Sequence, residues 1–135
     1  MTRQNHGAAL MAEILIIDDD ADVREVMSAA LEGAGHSVRE AKDGSEGLAL
    51  ARKHHPAVVV TDMVMPEQEG GEVIRQLRKE KPEIAILAVS GAVRSSLYLH
   101  IAEKFGADSV LAKPFSFEAL VSAVANLVSA PNSSS

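Results

Sequence analysis

No cysteine occurs among the 135 residues, which excludes disulfides and thiolate metal sites and agrees with a reducing compartment. A clustered basic run is also missing, and the formal net charge is −6; a general nucleic-acid binder needs the opposite balance. The longest wholly apolar strand-like run, Ile84 to Val89, is far shorter than the ~20 residues of a bilayer-spanning helix. Glu13 interrupts the apolar stretch near the amino terminus, so no secretory leader is expected. The cytoplasm is the default expectation, with no direct nucleic-acid partner and no membrane partner expected. At 47% hydrophobic and 24% charged, the composition suits one globular domain, and neither an internal repeat nor a second domain is visible.

Two apolar runs end in aspartate. Ile14-Leu15-Ile16-Ile17 leads into Asp18-Asp19-Asp20, and Ala57-Val58-Val59-Val60-Thr61 leads into Asp62. If both runs are buried parallel strands, their carboxyl ends bring three carboxylates to one sheet edge. At ~4 Å and an effective dielectric of ~20, each pair of like charges repels by roughly 4 kcal/mol. A bound cation or a proton must relieve that repulsion, so a divalent metal site is the first inference.

Hydrophobic periodicity divides the rest into alternating strands and helices. Val23, Val26, Met27, Ala30 and Leu31 form a helical stripe, with Asp20 as N-cap and Gly33 and Gly35 at its end. A short strand at Ser37 to Ala41 precedes an Asp43-Gly44 turn and a small-residue helix through Leu48 and Ala51, stopped before Pro56. After the 57–61 strand, Val73, Ile74 and Leu77 mark a third helix and Ile84 to Val89 a fourth strand. Leu97, Ile101, Ala102 and Phe105 mark a fourth helix closed by Gly106. A fifth strand at Ser109 to Ala112 leads to a last helix with Ser116 as N-cap and Leu120, Val121, Val124, Leu127 and Val128 as its apolar face. The fold expected is α/β, a flavodoxin-like (βα)5 doubly wound parallel five-stranded sheet in the order 2-1-3-4-5, with ligands between the first and third strands. The domain is expected over 11–129, between flexible segments at 1–10 and 130–135, with Met11 a candidate start.

Ser90 follows the fourth strand and Lys113 the fifth, so the same edge gains a hydroxyl and an amine. Together with Pro66 and Pro114, the pieces ILIIDDD, VVVTDMVMPEQEG, AVSG and LAKPF make residues 13–129 resemble the response-regulator receiver domain. The resemblance implies that Asp62 is the phosphoacceptor, attacking a phosphohistidine on a partner kinase. It also implies Mg²⁺ as cofactor, held by Asp19 directly, by Asp18 mainly through metal-bound water, by Asp62, and by the backbone carbonyl of Val64. Lys113 would neutralise phosphoryl oxygens and Ser90 would hydrogen-bond the phosphorylated aspartate. The chain would modify itself rather than turn over a substrate. Its partners would be a histidine kinase or histidine phosphotransfer protein and a downstream protein, with phosphorylation-dependent dimerisation as one available output. With no effector segment after Val128, the expected output is partner binding or onward phosphotransfer.

Blander roles stand beside these. Asp20 reads as an N-cap rather than a ligand. Gly70 and Gly91 are turn glycines, and Gly91 could also let backbone approach a phosphoryl group. Pro114 is compatible with an ordinary loop proline, although the resemblance implies a cis Lys113–Pro114 bond. His54-His55 close a helix, where the dipole favours positive charge, and suggest no zinc site; Met63 and Met65 are expected to pack. The chain departs from the family at Val110, where an aromatic ring is usual; Tyr98 and Phe105 are candidates to replace it. It departs again at Gly71, where the family usually has a larger apolar residue, and the glycine is expected to loosen the start of the third helix. Two other classes fit parts of the pattern: a haloacid-dehalogenase-type phosphatase, for which Asp18 and Asp20 supply half the signature and Asp22 breaks the rest, and a receiver-like binding module that is never phosphorylated.

Overall fold

The computed structural model describes residues 11–65, 70–91 and 95–129. The expected extensions at 1–10 and 130–135, and Pro66, lie outside the described residues. Five strands, β1 (Glu13–Ile17), β2 (Ser37–Ala41), β3 (Val58–Asp62), β4 (Ala85–Ser90) and β5 (Ser109–Ala112), alternate with five helices: α1 (Ala21–Gly33), α2 (Gly44–His54), α3 (Gly70–Glu80), α4 (Ser95–Phe105) and α5 (Phe117–Ser129). All strand pairs are parallel, in the order β2-β1-β3-β4-β5. Between β1 and β3, Ile17 lies opposite Thr61, so Asp18 and Asp62 both follow at the same level of the sheet.

Alternation along each strand builds two cores. Leu15, Ile17, Val59, Ile86 and Ala88 pack with Leu48, Ala51, Val73, Ile74, Leu77 and Ala102 of α2, α3 and α4. Ile14, Ile16, Val58, Val60, Leu87 and Val89 face Met27, Leu31, Leu120 and Val124 of α1 and α5. The central strands are thus buried on both faces, as helix-covered parallel sheets require.

Local signals set the element ends. The Asp20 side chain accepts from the backbone N–H groups of Asp22 and Val23, and Asp43 accepts from Glu46. Gly35 has a φ of +102° after α1, and His55 closes α2 at φ 51°. Ser116 caps α5 by accepting from Ala119. Three details depart from the periodic reading. Asp62 belongs to β3 itself, because its pairing with β4 continues to Val89. Val26 is 48% exposed; it flanks the α1 stripe and lines an open groove with Met27, Phe115 and Phe117. Leu97 and Phe105 are exposed on α4, because β5 is a half-buried edge strand and, among the residues of that helix whose burial is described, only Ala102 is fully buried.

Arg78 ties the far end of this edge together. Its guanidinium donates to the carbonyls of Gly106, Pro82 and Ile84 and to Asp108 Oδ2, at 2.7–3.1 Å. Asp108 Oδ2 also accepts the Ile86 N–H at 2.8 Å, so one ion pair joins α3, the α4–β5 turn and β4. Arg78→Met should lower stability by about 2 kcal/mol, the scale for losing charged hydrogen bonds to partly buried acceptors; urea unfolding checks it.

Candidate phosphorylation site

The carboxyl edge of β1 and β3 collects the expected acids. One carboxylate oxygen from each of Asp18, Asp19 and Asp62 lies within 4.8 Å of the others. Asp18 and Asp62 are buried and Asp19 is exposed. Each part of Asp18 is engaged: its N–H donates to the Ala41 carbonyl, Oδ1 accepts the Asp20 N–H at 2.9 Å, and Oδ2 accepts from Lys113 Nζ at 3.1 Å. Lys113 Nζ lies farther from Asp62, 3.8 Å from Oδ2. The Val64 N–H donates to Asp62 Oδ1 at 3.3 Å.

Backbone contacts hold the pieces in register. Ser90 ends β4 with its side chain buried, and its carbonyl accepts the Lys113 N–H at 2.9 Å. The Lys113–Pro114 bond is cis. A Cβ at Gly91 would come within 3.0 Å of the Lys113 stem, so this glycine leaves the path of the lysine open. Gly70 is more than a turn residue, since a Cβ there would overlap the carbonyl oxygen of Asp62. Its burial against β3 is a positional demand that its place in the sequence did not disclose.

Asp20 is spent as the α1 cap and does not join the acid cluster. Met63 and Met65 are buried, as expected. His36 is buried too, its Nδ1 accepting the Ala12 N–H at 3.1 Å, and burial lowers its pKa. Val110 and Tyr98 are both half-buried against the same core cluster. Phe105 has a different place: its ring edge lies 2.9–3.0 Å from where a Gly71 Cβ would stand, and the Arg75 guanidinium sits 5.4 Å from the ring centroid. The space left by Gly71 is therefore filled from α4, and Phe105 braces α3 rather than standing in for the ring missing at Val110.

Burial pushes the Asp62 pKa up to about 6, with Asp18 and Asp19 pushing in the same direction and Lys113 and the Val64 N–H opposing. The carboxylate is nevertheless the main form at neutral pH. Three hard-oxygen donors around a desolvated, repelling cluster fit Mg²⁺, which favours carboxylates and retains waters. Asp19, exposed and outside any ion pair among the described residues, is best placed to give an oxygen directly.

The sequence profile of the response regulator receiver domain matches residues 14–125. The chain is 41% identical over 109 residues to a response regulator MprA from Mycobacterium sp. (strain KMS), covering 80% of this chain and 46% of that one. It spans about half the length of the curated relatives it matches. Among solved structures, chemotaxis protein CheY4 of Vibrio cholerae superposes with a TM-score of 0.80 at 31% identity, over 87% of this chain and 98% of that chain. NtrX of Brucella abortus gives 0.82 at 26% identity, over 87% and 27%.

A raised carboxyl pKa means that the folded state holds the proton more tightly than the unfolded chain. Stability should fall as pH rises from about 4, the ordinary aspartate range, to about 6, and level off above. In metal-free solution Asp62→Asn should therefore be more stable than wild type above pH ~6, by on the order of 2 kcal/mol, with the gap closing toward pH ~4. Urea denaturation across that range measures it.

Proposed function

This chain belongs to the response regulator receiver domain family, and we propose that it is a phosphorylation-activated switch of a two-component system, with Asp62 as the acceptor. The observation that carries this reading is a buried carboxylate set among two further acids and 3.8 Å from a lysine ammonium. An Asp62 oxygen attacks the phosphorus of a phosphohistidine on a histidine kinase or phosphotransfer protein. The new P–O bond gives an acyl phosphate, the P–N bond breaks, and the imidazole leaves with the bonding electrons. Asp19, Asp62, the Val64 carbonyl and, through water, Asp18 would hold Mg²⁺, which would supply charge neutralisation for the phosphoryl oxygens.

The remaining work belongs to the protein. Lys113 is held by Asp18 at 3.1 Å, close enough to turn toward a phosphoryl oxygen once Asp62 gains one. Asp18 would accordingly have two duties, orienting the lysine and holding the metal through water. Ser90, buried at the end of the adjacent strand, is read as the hydroxyl that hydrogen-bonds the modified aspartate. The new charge and acceptor oxygens on Asp62 then serve as the signal, read by a downstream protein or passed on by phosphotransfer in the cytoplasm. A dehalogenase-type phosphatase is disfavoured because its second aspartate would be Asp20, whose carboxylate caps α1.

Incubation with Mg²⁺ and a small acyl-phosphate donor should add one phosphoryl group to the wild type and none to Asp62→Asn, and EDTA should abolish the adduct. Intact-mass measurement checks it; an undiminished adduct in Asp62→Asn would sink the assignment. Mg²⁺ should also raise the melting temperature by binding the folded state. In Asp19→Asn that rise should shrink while the metal-free protein becomes more stable, which differential scanning calorimetry reads directly.

A further inference from the structure

Arg24 occupies the first turn of α1, where the helix dipole disfavours a cation. The side chain is only 17% exposed, so its charge has been largely withdrawn from water and needs compensation. Its Nη1 donates to the backbone carbonyl of Asp18 at 2.7 Å, and its Nε to Glu40 Oε1 at 3.1 Å. Glu40, on β2, is held in turn through Oε2, which accepts from Ser28 Oγ at 2.7 Å. Although three carboxylates cluster nearby, the one ion pair of Arg24 among the described residues is with Glu40.

That choice of partners is informative. An arginine resting on the acid cluster would neutralise it and compete with a divalent cation. Here Glu40 compensates the guanidinium, and the other arm of the fork grips the backbone at the point where β1 gives way to the acidic turn. The opposite side of Asp18 is fastened by Lys113 and the Asp20 N–H. We propose that Arg24 is a positioning residue of the phosphorylation site: clamped by Glu40, which Ser28 holds in turn, it fixes the Asp18 carbonyl and thereby sets the Asp18–Asp19 pair for a divalent cation. The proposal rests on the reading of Asp18, Asp19 and Asp62 as a metal-dependent site.

Calorimetric titration of the full chain with Mg²⁺ tests it, beside acyl-phosphate labelling over a range of Mg²⁺ concentrations. Arg24→Met and Arg24→Lys should each weaken Mg²⁺ binding about 10-fold, the scale for losing a partner that orients metal ligands. Labelling of Asp62 should recover at saturating Mg²⁺. Removing a positive charge would by itself tighten cation binding, so the direction in Arg24→Met separates positioning from plain electrostatics. Lysine keeps the charge but cannot span both acceptors as the planar fork does, and it decides the matter if Arg24→Met fails to fold. An unchanged or tighter Mg²⁺ dissociation constant in folded Arg24→Lys overturns the proposal. A wild type that takes no Mg²⁺ overturns instead the reading of the site, and the proposal with it.

Discussion

Mutual repulsion among Asp18, Asp19 and Asp62 is the constraint around which the molecule is organised. Their oxygens lie within 4.8 Å of one another, and burial of two of them removes most of the water that would screen the charge. A cluster like that persists only on a frame that the repulsion cannot open. The frame is a parallel sheet whose central strands are buried on both faces, with Ile14 to Ile17 and Val58 to Val60 almost wholly inaccessible. The cost of holding the acids together is met by the cores, and what remains at the edge is a standing affinity for positive charge. Lys113 satisfies part of it from within the chain.

The contacts around the cluster limit how the acids can relax. Asp18 is tied through its backbone and both carboxylate oxygens, while exposed Asp19 is left to face solvent. Asp62 is backed by Gly70, which admits no side chain against the Asp62 backbone carbonyl. Rigid on the inner side and open on the outer, the site suits a ligand that arrives and leaves.

Along the β4–β5 edge the packing is looser and differently arranged. Val110 and Tyr98 share a half-buried position against the core, whereas Phe105 reaches back to cover Gly71 under the Arg75 guanidinium. A small residue on α3 and a large one on α4 thus compensate each other, and the start of α3 is braced despite two consecutive glycines. A continuous line of contact thus runs from β3 through Gly70 and Gly71 to Phe105 of α4.

The sequence by itself determined the alternation of strands and helices, the strand order, the caps at Asp20 and Ser116, and the gathering of Asp18, Asp19, Asp62, Ser90 and Lys113. The elements, their caps and the strand-end positions follow from local properties of the chain, whereas the strand order came with the flavodoxin-like arrangement that alternating strands and helices suggest. It did not determine the exposure of Val26 and Leu97, since a periodic stripe is wider than the strip of sheet that covers it. Nor did it reveal the Arg24–Glu40 clamp, the closeness of Gly70 to Asp62, or the filling of Gly71 by Phe105. Each of those joins residues from different elements, and no spacing along the chain encodes the gap between two packed surfaces. Only the tertiary structure, by bringing those surfaces together, decided which side chain fills which space.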